Sequence, residues 1–263
     1  MYDLGTAFYW AVPPFLYVFF IVNDIIRGMI KIKNVSKSYG SKKALDKVSF
    51  EVKTGDIFAF IGHNGAGKTT LIKSICGIID FDEGEILING KSIKKEPLTC
   101  KKEMAYISDD PELYEDMKAI DYINFVCDMY EVPSKVRESG IMKYAKMFSI
   151  EDELSNTIKS FSHGMKQKVA LIAALSHEPK ILVMDEPFVG LDPKAIFDMK
   201  GVMREIVKKG GTIFFSTHIL DVAEKLCDRI AIVKKGKVVS VGTMKEVRGD
   251  KSLEKVFLEL EAK

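Results

Sequence analysis

Cysteine is scarce in this chain: there are four in 263 residues, at Cys76, Cys100, Cys127 and Cys227, with no Cys-x-x-Cys pair and no histidine pair near them. That distribution excludes a disulfide scaffold and a zinc ribbon, and it predicts a reduced, cytosolic compartment. Glycine and proline number only 19 and 8, which excludes collagen-like, low-complexity and disordered classes. Net charge is almost absent too. With 39 Lys and Arg against 37 Asp and Glu the balance is +2, and the paired lysines are scattered. A nucleic-acid backbone or a strongly acidic partner is therefore not expected. No internal repeat is found. What the chain does have is length for a buried core and 47% hydrophobic residues, so it is globular.

One region departs from this composition. From Leu4 to Val22 no residue is charged, and the stretch holds Phe8, Tyr9, Phe15, Tyr17, Phe19, Phe20 and the single Trp of the chain, Trp10. It is long enough to span a bilayer. Asp3 on one side and Arg27, Lys31 and Lys33 on the other would, by the positive-inside rule, leave the following chain in the cytoplasm. Against a simple span stands Pro13-Pro14, which breaks a helix, and against a secretory leader stands the missing basic start and cleavage site. Residues 1–28 are thus an apolar N-terminal extension with three open readings: a membrane segment, an accessory stretch without a role in the fold, or a buried apolar arm. The main domain is expected over 29–263.

Short apolar runs predict strands at Ile30–Val35, Val48–Val52, Ile57–Ile61 and Glu85–Ile88. From about Pro97 to Phe161 the pattern turns helical and charged, with helices expected over Ile120–Met129 and Val136–Phe148. Helix and strand then alternate: Met165–His177, Ile181–Met184, Pro193–Lys208, Thr212–Ser216, Leu220–Cys227 and Ile230–Val233. A last strand, Lys237–Ser240, closes a hairpin, and Ser252 is placed to cap a final helix, Leu253–Glu261. Alternation of this kind implies an α/β fold with a parallel sheet between helices.

The chemistry concentrates at the ends of the predicted strands. Gly62-His63-Asn64-Gly65-Ala66-Gly67-Lys68-Thr69-Thr70 fits the G-x-x-x-x-G-K-[ST] phosphate loop and lies between a buried strand and a helix. Its glycines turn backbone N–H groups inward around a polyphosphate, the helix start adds partial positive charge, Lys68 reaches the phosphates and Thr69 ligates Mg²⁺. Ile181–Met184 delivers Asp185 and Glu186 at a strand end, where Asp185 would hold Mg²⁺ through water and Glu186 would polarise an attacking water. The same run also reads as an ordinary strand end. A third strand ends at His218, placed to touch the terminal phosphate or the water, although a lone histidine is usually structural. Ser162 and Gly164 open a helix, an arrangement that suits either phosphate binding or a plain N-cap.

In this order the pieces resemble the nucleotide-binding domain of ATP-binding cassette transporters, over Met29 to Lys263. Tyr39 matches the family's adenine-stacking aromatic. Phe161-Ser162-His163-Gly164-Met165 matches the L-S-G-G-Q signature with three replacements, Val189-Gly190-Leu191-Asp192 matches S-G-L-D, and His218 matches the switch histidine. Where the family has a glutamine that touches Mg²⁺, this chain has Asp109, with Asp110 beside it as an alternative if the loop shifts by one. The resemblance implies a P-loop NTPase core with a small antiparallel β portion and a helical subdomain over about 97–164. It also implies ATP and Mg²⁺ as cofactors and hydrolysis assisted by Glu186 and His218. Tyr39, residues 62–70, Ser162, Gly164 and Asp192 would line the nucleotide, with Thr69, Asp185 and Asp109 on the metal. Ser162 and Gly164 would face the ATP of a second cassette in a head-to-tail homodimer or heterodimer.

The implied partner is an integral membrane permease at the cytoplasmic face of the cell membrane, docked on the helical subdomain. The short cassette, the stretch from Tyr106 to Tyr114 and Ser162–Gln167 look like small bacterial export-type subunits. Two other readings are weaker. A cassette ATPase acting on nucleic acid or the ribosome usually inserts a coiled coil or carries two cassettes, and neither is found. A P-loop GTPase or small-molecule kinase would leave Ser162–Lys168 unexplained, and an N-K-x-D motif is missing.

Overall fold

The computed structural model describes residues 28–262; the apolar run Leu4–Val22 lies outside them. Among the described residues no helix is long and apolar enough to cross a membrane. The described residues form two sheets. The smaller is antiparallel and four-stranded, ordered β2-β1-β4-β5, from β1 (Gly28–Tyr39), β2 (Lys42–Lys53), β4 (Glu83–Ile88) and β5 (Lys91–Ser92). Its centre is set by apolar residues in register, with Ile32 opposite both Phe50 and Ile86.

The larger sheet has six strands in the order β10-β9-β3-β8-β7-β6. These are β3 (Ile57–Ile61), β6 (Met104–Ile107), β7 (Ile181–Met184), β8 (Thr212–Thr217), β9 (Arg229–Lys234) and β10 (Lys237–Thr243). All pairings are parallel except that of β10 with β9. Because side chains alternate along a strand, β3 serves two cores. Ile57, Ala59 and Ile61 face one cluster, with the helices α3 (Ala119–Met129), α5 (His163–Ser176) and α6 (Pro193–Lys208). Phe58 and Phe60 face the other, with β1, β2 and α1 (Lys68–Ile75). Phe50 of the small sheet stacks on Phe58 at 5.2 Å and on Phe60 at 5.6 Å between centroids. Each such pair adds roughly 0.5–1.5 kcal/mol beyond burial, so the stack ties the two sheets together.

The remaining helices are α2 (Pro97–Lys102), α4 (Ser134–Met147), α7 (Leu220–Leu226), α8 (Met244–Arg248) and α9 (Leu253–Glu261). Strands β3 and β7 and helices α6 and α9 have the bounds expected from the sequence. One expectation needs correction: the stretch from Pro97 to Phe161 is not continuously helical. Within it β6 pairs with β7 through the register Met104 to Ile181 and Ile107 to Met184 and becomes the edge strand of the main sheet. This parallel order brings the carboxyl ends of β3, β8, β7 and β6 side by side, the edge at which open α/β sheets bind ligands.

Candidate nucleotide site

The loop after β3 is shaped by backbone that only glycine adopts freely. Gly65 has φ +79° and Gly67 φ +108°, and a Cβ on Gly67 would stand 2.4 Å from the Ala44 carbonyl oxygen. Inside the turn the Ala66 N–H donates to the His63 carbonyl at 3.1 Å. Helix α1 then starts at Lys68 with no side-chain cap, which leaves its first N–H groups open to a ligand. The Lys68 chain is buried and folds back over the loop, and its Nζ donates to the carbonyls of Gly62 at 2.7 Å and His63 at 3.3 Å.

Glu186, directly after β7, completes this cluster. One carboxylate oxygen, Oε1, lies 3.2 Å from Lys68 Nζ, and the other, Oε2, lies 2.9 Å from His218 Nδ1. The His218 backbone N–H also donates to Oε2, at 3.3 Å. Glu186 itself sits at φ +46°, and its N–H donates to Ser216 Oγ at 3.0 Å. The Ser216 hydroxyl in turn donates to Asp185 Oδ1 in a short hydrogen bond. Asp185 is wholly buried, and burial pushes its carboxyl above the usual range, a rise countered in part by the hydroxyls of Ser216 and Thr69. Its second oxygen, Oδ2, is buried without a hydrogen-bond partner. Such an orphaned carboxylate oxygen, beside the Thr69 hydroxyl, offers two of the hard oxygen donors that a divalent cation takes.

Around these residues lies a cleft of about 410 Å³. It is lined by Tyr39, Lys42 and Ala44 and by Asn64, Gly65 and the run from Gly67 to Thr70. Asp109 and Glu186 line it as well. The structure thereby separates two neighbouring acids. Asp109 lines this cleft, whereas Asp110 turns away, its carboxylate 3.5 Å from His163 Nδ1. The turn that divides them is local, since Asp109 Oδ1 accepts the Asp110 N–H at 3.0 Å and the Asp110 carbonyl accepts the Ser108 hydroxyl at 2.7 Å.

Ser162, Gly164 and Asp192, expected at the nucleotide, lie apart from both this cleft and the cluster of Lys68, Glu186 and His218. Ser162 caps α5, accepting the Met165 N–H at 3.4 Å. Gly164 packs against the loop of Gly190, whose carbonyl oxygen would be 3.0 Å from a Cβ there. Asp192 caps α6 through the Ala195 N–H at 2.8 Å and pairs with Lys168 at 3.1 Å. Sequence reasoning missed Ser216, which links Asp185 to the Glu186 backbone; the only signal was its place at the polar end of β8. It also missed Gln167, fully buried, whose Nε2 donates to the Pro187 carbonyl at 3.4 Å beside the two acids.

Comparison with known proteins agrees with this geometry. Residues 45–189 match the sequence profile of the ABC transporter family. The ABC-type transporter ATP-binding protein EcsA of Bacillus subtilis is 35% identical over 238 residues, covering 89% of this chain and 96% of its own. The lantibiotic transport ATP-binding protein SrtF of Streptococcus pyogenes is 33% identical over 229 residues, with 87% and 96% covered. A solved ATP-binding subunit of an ABC transporter superposes with a TM-score of 0.85 at 36% identity, over 89% of this chain and 99% of that one. An ATP-binding cassette solved as a dimer in a post-hydrolysis state with ADP and Pi gives 0.75 at 25% identity, over 82% and 99%. Fold, cleft and relatives converge, and the chain belongs to the ABC transporter family as an ATP-binding subunit that hydrolyses ATP.

Proposed function

We propose that this subunit works as one half of a head-to-tail pair of cassettes, identical or related, that drives export through a separate integral membrane permease at the cytoplasmic face of the cell membrane. The observation that carries the reading is the division of the site. Glu186 contacts both Lys68 and His218, and Ser216 links its backbone to Asp185, while Ser162 and Gly164 present a helix start outside that cleft. A second cassette would bring its own Ser162 and Gly164 to the phosphates. The solved relative that is a dimer supports the pair, and the relative named for lantibiotic transport supports export. The helical layer around α3 and α4 would dock the permease.

Within the cleft each residue has a chemical task. Tyr39, about half exposed at the rim, stacks on the adenine. Backbone N–H groups of residues 65–70 and the Lys68 ammonium hold the phosphates. Glu186 accepts a proton from water as the water oxygen bonds to the γ-phosphorus and the bond to the β–γ bridging oxygen breaks, releasing ADP and phosphate. His218 holds the Glu186 carboxylate in place through its Nδ1 and backbone N–H. Thr69, Asp185 and Asp109 would hold Mg²⁺, which offsets the phosphate charge when bound.

The test is Glu186→Gln. It is expected to keep ATP binding, to lose turnover by about 10²–10⁴-fold, and to elute as a dimer in saturating Mg·ATP by size-exclusion chromatography. A variant that stays monomeric under those conditions would overturn the paired cassette.

A further inference from the structure

Helix α9 lies against the phosphate loop, and no step of the hydrolysis described above uses it. Its start is fixed by Ser252, which accepts the Lys255 N–H at 3.3 Å, and by the buried side chains of Leu253 and Phe257. The Phe257 ring meets the His63 ring edge-on, with centroids 4.9 Å apart and planes at 66°. One turn further, the Glu261 carboxylate comes within 3.9 Å of His63 Nε2. The end of the helix is held from the sheet. Lys234 Nζ donates to the carbonyls of Leu260 at 3.2 Å and Glu261 at 2.6 Å. The neighbouring Val233 closes over Gly62, where a Cβ would stand 2.7 Å from Val233 Cγ1. Beyond it the Gly236 N–H donates to the Ala66 carbonyl at 3.0 Å.

These contacts converge on the groups that aim Lys68. His63 and Gly62 supply the two carbonyls that accept from Lys68 Nζ, and the His63 carbonyl also accepts the Ala66 N–H that closes the turn. A shift of His63 therefore moves the ammonium and the loop backbone together. We propose that Phe257 is a positioning residue of the ATPase: through the His63 ring, α9 holds the phosphate loop in the shape that aims Lys68 and the loop N–H groups at the nucleotide. The inference rests on residues 62–70 holding the phosphates. Phe257 touches no reacting atom, so its effect falls on nucleotide binding and not on the chemical step.

The full chain tests this with two substitutions of one residue. Phe257→Leu keeps apolar volume but removes the ring, and Phe257→Tyr keeps the ring. Phe257→Leu is expected to raise the KM for ATP and the Kd for ADP about two- to tenfold, the worth of one aromatic pair, with kcat within about twofold. Phe257→Tyr is expected to restore both. In a double-mutant cycle read as ADP affinity, Phe257→Leu should add little on top of His63→Ala. Amide exchange at Ala66, whose N–H closes the loop, should quicken in Phe257→Leu while exchange in β8 stays at the wild-type rate. A lowered melting temperature with unchanged KM and ADP affinity would overturn the proposal and leave Phe257 a packing residue. So would additive effects in the cycle. Wild-type protein that binds no ADP would overturn the phosphate-loop reading along with it.

Discussion

Helices α1 and α5 begin alike in sequence, each after a glycine- or serine-containing turn, yet the two starts are finished differently. At α1 the residue before Lys68 is a glycine at φ +108° that offers no side chain, so the N–H groups there remain open toward the cleft. At α5 Ser162 turns its hydroxyl onto the Met165 N–H, at a long 3.4 Å and in an exposed position. A helix start leaves four N–H groups without helical partners, and what satisfies them shows what the start is for. The first start has Lys68, Glu186 and His218 gathered around it, and on the proposed reading it would bind phosphate within its own chain. At the second, the nearby Lys166 and His163 already pair with Glu115 and Asp110, and on the proposed reading the phosphate it would meet is that of a second cassette.

That contrast is broken most directly at Lys68. Lys68→Ala removes the only point charge of the loop and is expected to lower ATPase activity by about 10²–10³-fold or more and to weaken nucleotide binding strongly. Turnover at the wild-type level would remove the loop from the site. The other start is tested by Ser162→Glu, which sets a carboxylate where a partner's γ-phosphate would approach. It is expected to suppress turnover while leaving nucleotide binding to the isolated subunit intact. Mixing the two inactive proteins then decides between one chain and two. In a homodimer half of the pairs are mixed and each mixed pair has one intact site, so the mixture should regain about a quarter of wild-type activity. A mixture as inactive as its components would mean that each site is built within one chain, with one lesion in each.

Much of this site was legible because its residues sit at the ends of buried runs. Ile57–Ile61 and Ile181–Met184 are apolar throughout and stop at Gly62 and Asp185, so both the strands and the motifs after them could be read. Helix α9 was bounded by the Ser252 cap, and α6 by Asp192 and Pro193. Strand β6 was not legible. Met104-Ala105-Tyr106-Ile107 is short, follows Lys101 and Lys102 of α2, and becomes a strand only by pairing with β7, which lies far along the chain. Tertiary pairing overrode a local pattern that suggested helix. Nor could the sequence choose between Asp109 and Asp110, because a single turn peptide decides which carboxylate enters the cleft.

That choice gives the next sharper test. Asp109 is anionic where the resemblance leads one to expect a neutral amide, and a carboxylate binds a hard cation more strongly. Asp109→Ala is expected to raise the half-saturating Mg²⁺ concentration for ATPase activity about tenfold, with a smaller rise in Asp109→Gln. Asp110→Ala, altered at a carboxylate that faces His163, should leave it unchanged. Equal values in wild type and both Asp109 variants would remove the metal role from this residue.

The smallest expected effect concerns stability and comes from Asp185. Burial raises its carboxyl pKa in the folded chain above the unfolded value. The sign follows: the group's favourable contribution is present at pH below the unfolded pKa and is lost as pH rises through the folded one. Without nucleotide, ionising this buried carboxyl is therefore a cost to the fold. Asp185→Asn removes the charge and keeps an oxygen to accept the Ser216 hydroxyl. In the absence of nucleotide and Mg²⁺ the variant should melt above wild type at pH 7.5 by roughly 2–4 °C, the shift that about 1 kcal/mol produces in a domain of 150–250 residues. The gap should narrow as the pH is lowered, the direction in which the raised pKa brings protonation of the wild-type carboxyl. Adding Mg·ATP should reverse the order, since only the wild-type carboxylate gains a cation partner. If the variant melts at or below wild type at pH 7.5, the buried carboxylate is not the strained member of the site, and the case for its second oxygen as a metal-facing donor fails with it.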